Sequence, residues 1–121
     1  MDDQDGFTII SKYSREEGIR DGVLIDATPQ ARETGICLPT AITDHLYYCL
    51  QEIPAESVGQ DYRGRLHDVL WITHLKLTAL SRNPGVPEFP VEIQVWLDGV
   101  LTRLWIFVDG DGLTIMFPED Y

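Results

Sequence analysis

The sequence predicts an α+β domain, and two regimes of hydrophobic spacing carry that reading. Apolar residues recur at intervals of three and four through residues 62–81, as on a helix, and from residue 91 onward they alternate with polar ones, as on antiparallel strands. Between the regimes stands NPGVPEFP, whose three prolines suit neither a helix interior nor a central strand. At 121 residues the chain has the length of one domain, expected over 1–121 with a flexible start at 1–6. Its 44% hydrophobic content is enough to bury roughly two thirds of the surface an unfolded chain exposes.

Taken in order, FTIISKY at residues 7–13 reads as an edge strand. Ser14 followed three residues later by Glu17 is a capping-box pattern, which predicts a short helix from Arg15 to Arg20 ending at Gly22. VLIDA reads as a strand. Thr28 before Pro29 opens a second short helix, and Gly35 closes it. After Pro39 a third helix is expected, with Ile42, Leu46, Cys49, Leu50 and Ile53 on one face and Asp44, Tyr48 and Glu52 pointing away. The loop PAESVGQD leads to the longest helix, where Leu66, Val69, Leu70, Leu77 and Leu80 form one stripe. Ile72, Leu75 and Ala79 widen that stripe, which predicts cover on more than one side.

VEIQVWLDG, VLTRLWIFV and LTIMF read as a three-stranded antiparallel meander packed on the long helix, its first two strands joined by Asp98-Gly99. A two-residue turn there sets Leu97 opposite Val100, Val95 opposite Thr102 and Ile93 opposite Leu104. One face is then Val91, Ile93, Val95, Leu97, Leu104, Ile106, Val108, Ile115 and Phe117, the core face. The other holds Glu92, Gln94, Trp96, Arg103, Trp105, Phe107, Thr114 and Met116.

Charge narrows the choice of partner. Nine basic against 20 acidic side chains give a formal charge of −11. Phosphate binding needs clustered Lys and Arg, so this balance argues against nucleic acid or an anionic membrane and favours a basic protein surface. From Asn83 onward a single basic residue, Arg103, faces seven acids: Glu88, Glu92, Asp98, Asp109, Asp111, Glu119 and Asp120. The two cysteines, Cys37 and Cys49, follow no ligand spacing and read as buried reduced thiols. The acidic start MDDQDGF has neither a basic nor an apolar signal region, so a soluble cytoplasmic protein is expected.

Motifs for chemistry are weak. VDGDG from residue 108 offers Asp109 and Asp111, but a calcium loop of the EF-hand kind also needs an oxygen ligand at its fifth position and glycine at its sixth. Those places hold Leu113 and Thr114, so a hairpin turn is the reading. His67 and His74 lie seven residues apart on the long helix, a backbone separation of about 10 Å, which is far for two ligands of one metal. His45 on the third helix is less informative. No nucleophile elbow, activated cysteine or phosphate-binding glycine loop is present, so no catalytic residue, metal or cofactor is assigned.

The outer sheet face stands out, because Trp96, Trp105, Phe107 and Met116 would form a larger apolar patch than monomers usually expose. The N-terminal strand and short helices would cover it within the monomer, a second copy would cover it in a dimer, or a partner would bind it. Under the last reading Glu92, Trp96, Asp98, Trp105, Phe107, Asp109 and Asp111 form the interaction surface, with aromatic anchors inside an acidic rim.

Three blocks carry a resemblance: YSREEGIRDGVLIDATPQARETGICLPTAIT, then DVLWI within the long helix, and LTIMFPEDY at the end. Their most specific pieces are DGVLID, the GxxxPxAIT approach to the third helix and the terminal TIM-x-P-acid-acid. Together they resemble a family of small uncharacterised proteins carried by phages, plasmids and other bacterial mobile elements. The sheet departs from it in the aromatic LWIFVDGDG. The resemblance implies genomic context and a bacterial host cell, and it carries over no site residue.

Three functions are weighed. An acidic mobile-element protein suits an inhibitor of a host nucleic-acid-handling defence protein, of anti-CRISPR or anti-restriction type, whose carboxylates occupy a groove meant for phosphates. A non-enzymatic accessory protein would homo-oligomerise through the aromatic face. A small enzyme would need a deep pocket joining His67 or His74 to a carboxylate.

Overall fold

The computed structural model describes residues 15–52, 61–83 and 85–121. The start at 1–6, the strand expected over residues 7–13, the Ser14 cap and Ile53 lie outside the described residues. Helix α1 spans Arg15–Arg20, and Gly22 follows it at φ +78 as the turn chemistry requires. Strand β1 is Leu24–Asp26, and helix α2 is Thr28–Glu33 with Pro29 in its first turn. The Asp26 carboxylate rather than Thr28 organises that entry, accepting from the Thr28 hydroxyl at 2.6 Å and the Thr28 N–H at 3.3 Å.

The third helix is corrected at its start. Thr40–Thr43 form strand β2, every residue of it buried, and helix α3 begins at Asp44 and runs to Gln51. Ile42 therefore belongs to the sheet. Two β-branched threonines and an isoleucine favour a pleated, fully covered strand, and Thr43 then caps α3 by accepting from the Leu46 N–H. Cys37 is also corrected: it sits exposed in the loop after α2, while Cys49 is half-buried, and both thiols are free.

Helix α4, Tyr62–Arg82, is capped by Asp61, which accepts from the Gly64 N–H at 2.7 Å. It buries Leu66, Val69, Leu70 and Thr73. Ile72 and Leu77 are partly buried against the core, but Leu75 is 47% exposed and Trp71 44% exposed, so the expected enclosure on more than one side is absent among the described residues.

Strands β3 (Val91–Leu97), β4 (Val100–Asp109) and β5 (Gly112–Met116) form a meander, its first hairpin in the expected register with Leu97 opposite Val100 and Ile93 opposite Leu104, while Phe117 leaves the expected third strand to cap the turn that follows. Asp98 and Gly99 take φ values of +53 and +77, the pair of positive angles that a type I′ turn needs. The meander is part of a larger five-stranded sheet ordered β1-β2-β5-β4-β3, in which β2 runs parallel to β5. Helices α2, α3 and α4 cover one face. There Ala27, Ala31, Leu46, Leu50, Leu66, Val69 and Leu70 meet Ile42, Ile93, Val95, Leu97, Leu104, Ile106, Leu113 and Ile115. At about 1.5–3 kcal/mol per fully buried large aliphatic side chain, this contact is the main source of stability. No helix among the described residues is long and apolar enough to cross a membrane.

Candidate interaction surface

Strand alternation places Glu92, Trp96, Trp105 and Phe107 on the sheet face opposite the helices, as the register requires. That face is divided. Near β5 it is closed: Phe107 is 7% exposed, Thr114 is buried and Met116 is inaccessible. A short 3₁₀ turn at Pro118–Asp120 brings Tyr121 back edge-on to Trp105 at 5.5 Å and tilted against Phe107 at 6.2 Å. From the other side Arg15 donates to the Thr114 hydroxyl at 3.1 Å and to the Asp111 carbonyl at 3.2 Å. Phe107 thus packs within the monomer and is no exposed anchor, because β4 is an interior strand that the chain end folds over.

Near β3 the face is open. Trp96 is 65% exposed, and its cross-strand neighbour Leu101 is 46% exposed. Trp105 lies between the two regions, half-buried, its indole N–H donating to Glu92 Oε1 at 3.2 Å. Arg103 donates to the same oxygen through Nε at 3.0 Å and Nη2 at 2.8 Å. The Arg103 hydrogen bonds, with that of Trp105, hold the Glu92 carboxyl below its ordinary range. Glu92 is therefore already paired, and it contributes less free negative charge than its sequence position suggests.

The other expected carboxylates are dispersed. Asp98, at the hairpin tip, turns toward the helices, its Oδ1 3.6 Å from Nη2 of Arg65. Arg65 is buried on α4 and also donates to the Glu52 carbonyl at 3.3 Å, tying hairpin, α4 and the end of α3 together. Asp109 shapes its own turn by accepting from the backbone N–H groups of Asp111 and Gly112 at 2.8 and 3.2 Å. This is a turn rather than a calcium loop, and no group of metal-ligating side chains occurs among the described residues. Burial disfavours the Arg15 charge, while Asp109, Asp111 and Asp26 around it act in the opposite sense. The acidic rim is therefore split between the β4–β5 turn and the β3 side.

Sequence reasoning set His45 aside, yet it forms a defined cluster. Its Nδ1 lies 3.0 Å from Asp120 Oδ1, and its ring packs on Phe117 at 4.4 Å. Asp120 Oδ2 accepts from the Thr43 hydroxyl at 2.9 Å and the Phe117 N–H at 3.2 Å. The hydrogen bond to Asp120 raises the His45 pKa, against a smaller opposing effect of burial. The arrangement clamps the terminal turn that carries Tyr121. A pairing 75 residues apart in sequence left no local signal. His67 approaches Asp68 at 4.0 Å, and His74 stacks on Trp71 at 5.5 Å.

Among the described residues, two shallow clefts lie between α4 and the edge strand β3. One, of about 200 Å³, is lined by Asp68, Trp71, Ile72, Gln94, Val95 and Trp96. The second, of about 380 Å³, continues from it through the shared Ile72 and Gln94 to Leu75, Lys76, Ala79 and Glu92. Neither contains His67 or His74. Comparison with protein-family models, with curated proteins and with solved structures finds no match.

Proposed function

We propose that the chain is a non-enzymatic binding protein of bacterial mobile elements that occupies a basic, nucleic-acid-handling surface of a host defence protein of CRISPR or restriction type. The observation that carries the reading is Trp96, a large aromatic side chain left 65% exposed on a chain of net charge −11. Aromatic anchors surrounded by polar groups are the usual centre of a protein interface. An excess of carboxylates attracts a Lys/Arg groove from a distance and raises the encounter rate. The mobile-element context rests on the three sequence blocks. Trp105, half-buried behind Tyr121 and Glu92, serves as the inner support of the surface.

The test is binding to purified CRISPR effectors and restriction enzymes, paired with protection of a plasmid from those systems in cells. The complex should weaken from about 0.1 M to about 1 M salt, over which the screening length falls from about 10 Å to about 3 Å. Trp96→Ala should lose both binding and protection while the protein stays folded. Absence of binding at every ionic strength refutes the proposal.

Among the described residues β3 pairs on one side only, which favours a second reading, pairing of two copies edge to edge. The two readings differ in sign. Copies each carrying −11 repel, so added salt strengthens a homodimer and weakens a complex with a basic partner. Sedimentation at two salt concentrations separates them.

A further inference from the structure

Asp68, Trp71, Ile72, Leu75, Lys76 and Ala79 fall at three- and four-residue intervals along α4 and line its side toward β3. Of the apolar members, Trp71, Leu75 and Ala79 are exposed, while Ile72 is partly buried against the core. At its hairpin end the groove narrows to a 200 Å³ slot lined by Asp68 and Trp71 of α4 and by Gln94, Val95 and Trp96 along the edge of β3. Small-molecule sites are usually about 300–1,000 Å³, so this one has the scale of a single side chain. His74 stacks on Trp71, while Trp96 is mostly exposed. The Asp68 side chain is 60% exposed, with the His67 ring 4.0 Å away. An indole face attracts cations through its quadrupole, and a nearby carboxylate adds charge attraction, so Trp71 and Asp68, with Trp96 at the β3 rim, give the slot the chemistry of a receptor for a guanidinium or ammonium group.

The strand beside it supplies the second half of a peptide site. With Leu97 and Val100 paired across the two-residue turn, alternate residues of β3 turn their backbone groups toward β4. Glu92, Gln94 and Trp96 turn theirs outward, and among the described residues β3 is an edge strand of the sheet. An extended segment laid along that edge gains backbone hydrogen bonds and presents alternate side chains to the groove.

We propose that the Asp68–Trp71–Trp96 slot receives an arginine or lysine side chain from an extended segment of a basic protein, paired in β fashion to the outer edge of β3. The inference rests on the reading of the chain as a binder of basic proteins, and the net charge of −11 selects a cationic partner over a second copy. It names the part of the surface that does the binding, away from the Asp109–Asp111 turn.

The probe is a short peptide alternating valine and arginine, compared with the same peptide carrying citrulline, which keeps the shape and removes the charge. Titration is followed by NMR at the Trp71 and Trp96 indoles and at the Gln94 and Trp96 amides. The arginine peptide should shift these signals and bind more tightly than the citrulline peptide. Asp68→Asn should weaken it about two- to fivefold, and Trp96→Ala roughly three- to thirtyfold. Glu33→Gln, at an exposed acid on α2, should leave it unchanged. Equal affinity for both peptides, shifts confined to the β4–β5 turn, or no shift at the two indoles overturns the proposal. Protection of the β3 edge amides by self-association before any peptide is added overturns it too. No defence protein enters this experiment. Slot failure with defence-protein binding intact therefore relocates the surface, and a working slot without that binding removes the proposed target.

Discussion

Gly112 begins β5 at φ +137, and a Cβ placed there would run into the Pro39 carbonyl oxygen. The same oxygen accepts the Leu113 N–H at 2.8 Å, where β2 joins β5. Gly112→Ala therefore carries two penalties. Forcing an L-residue into positive φ costs about 1–2 kcal/mol. Displacing a backbone carbonyl that is already hydrogen-bonded adds about 1–3 kcal/mol, the usual range for overpacking. The sum, about 2–5 kcal/mol, is a large share of the roughly 5–15 kcal/mol that holds such a domain together. Gly99→Ala is the internal control. Gly99 also has positive φ, +77, but a Cβ there meets open space, so its variant bears only the conformational penalty. Urea denaturation should place the midpoint of Gly112→Ala well below that of Gly99→Ala at similar slope. Hydrogen exchange should rise first in β2, whose parallel pairing depends on the contact. If the two variants lose equal stability, the close approach at Pro39 is not a structural determinant and the reasoning fails.

Two further perturbations probe the helix layer and the terminal clamp. Leu70→Ala, at a fully buried α4 position against the sheet, should lower stability by about 2–5 kcal/mol in the same assay, whereas Leu75→Ala, at a 47% exposed position, should change it little. His45 is raised above its ordinary pKa by Asp120, so its contribution is present below about pH 6.5 and is lost as pH rises through the higher folded-state value. An NMR titration should show that raised value in the wild type, a lower one in Asp120→Asn, and in the wild type alone a coupled movement of Tyr121 signals. An unchanged His45 titration in the variant would show that the clamp does not form.

Local chemistry made much of the fold legible. The interval of three and four residues through Leu66, Val69 and Leu70 determined α4 and the side it buries. Asp98-Gly99, two residues able to hold positive φ, determined the hairpin and with it the facing of every residue from Val91 to Ile106. Gly22 and Gly35 marked the ends of the two short helices. These features are written within a few residues of where they act. Only the tertiary structure decided that Thr40–Thr43 is a strand, because the pairing that makes it one lies at residues 113–115 and its four residues are too few to show a period. The division of the outer sheet face has the same origin. Phe107 and Trp96 look alike in the alternation, yet Tyr121 packs on the first while the second lies on an edge strand, which among the described residues has a neighbour on one side only. Periodicity reports which way a side chain points, and it carries no information about what, if anything, arrives to cover it.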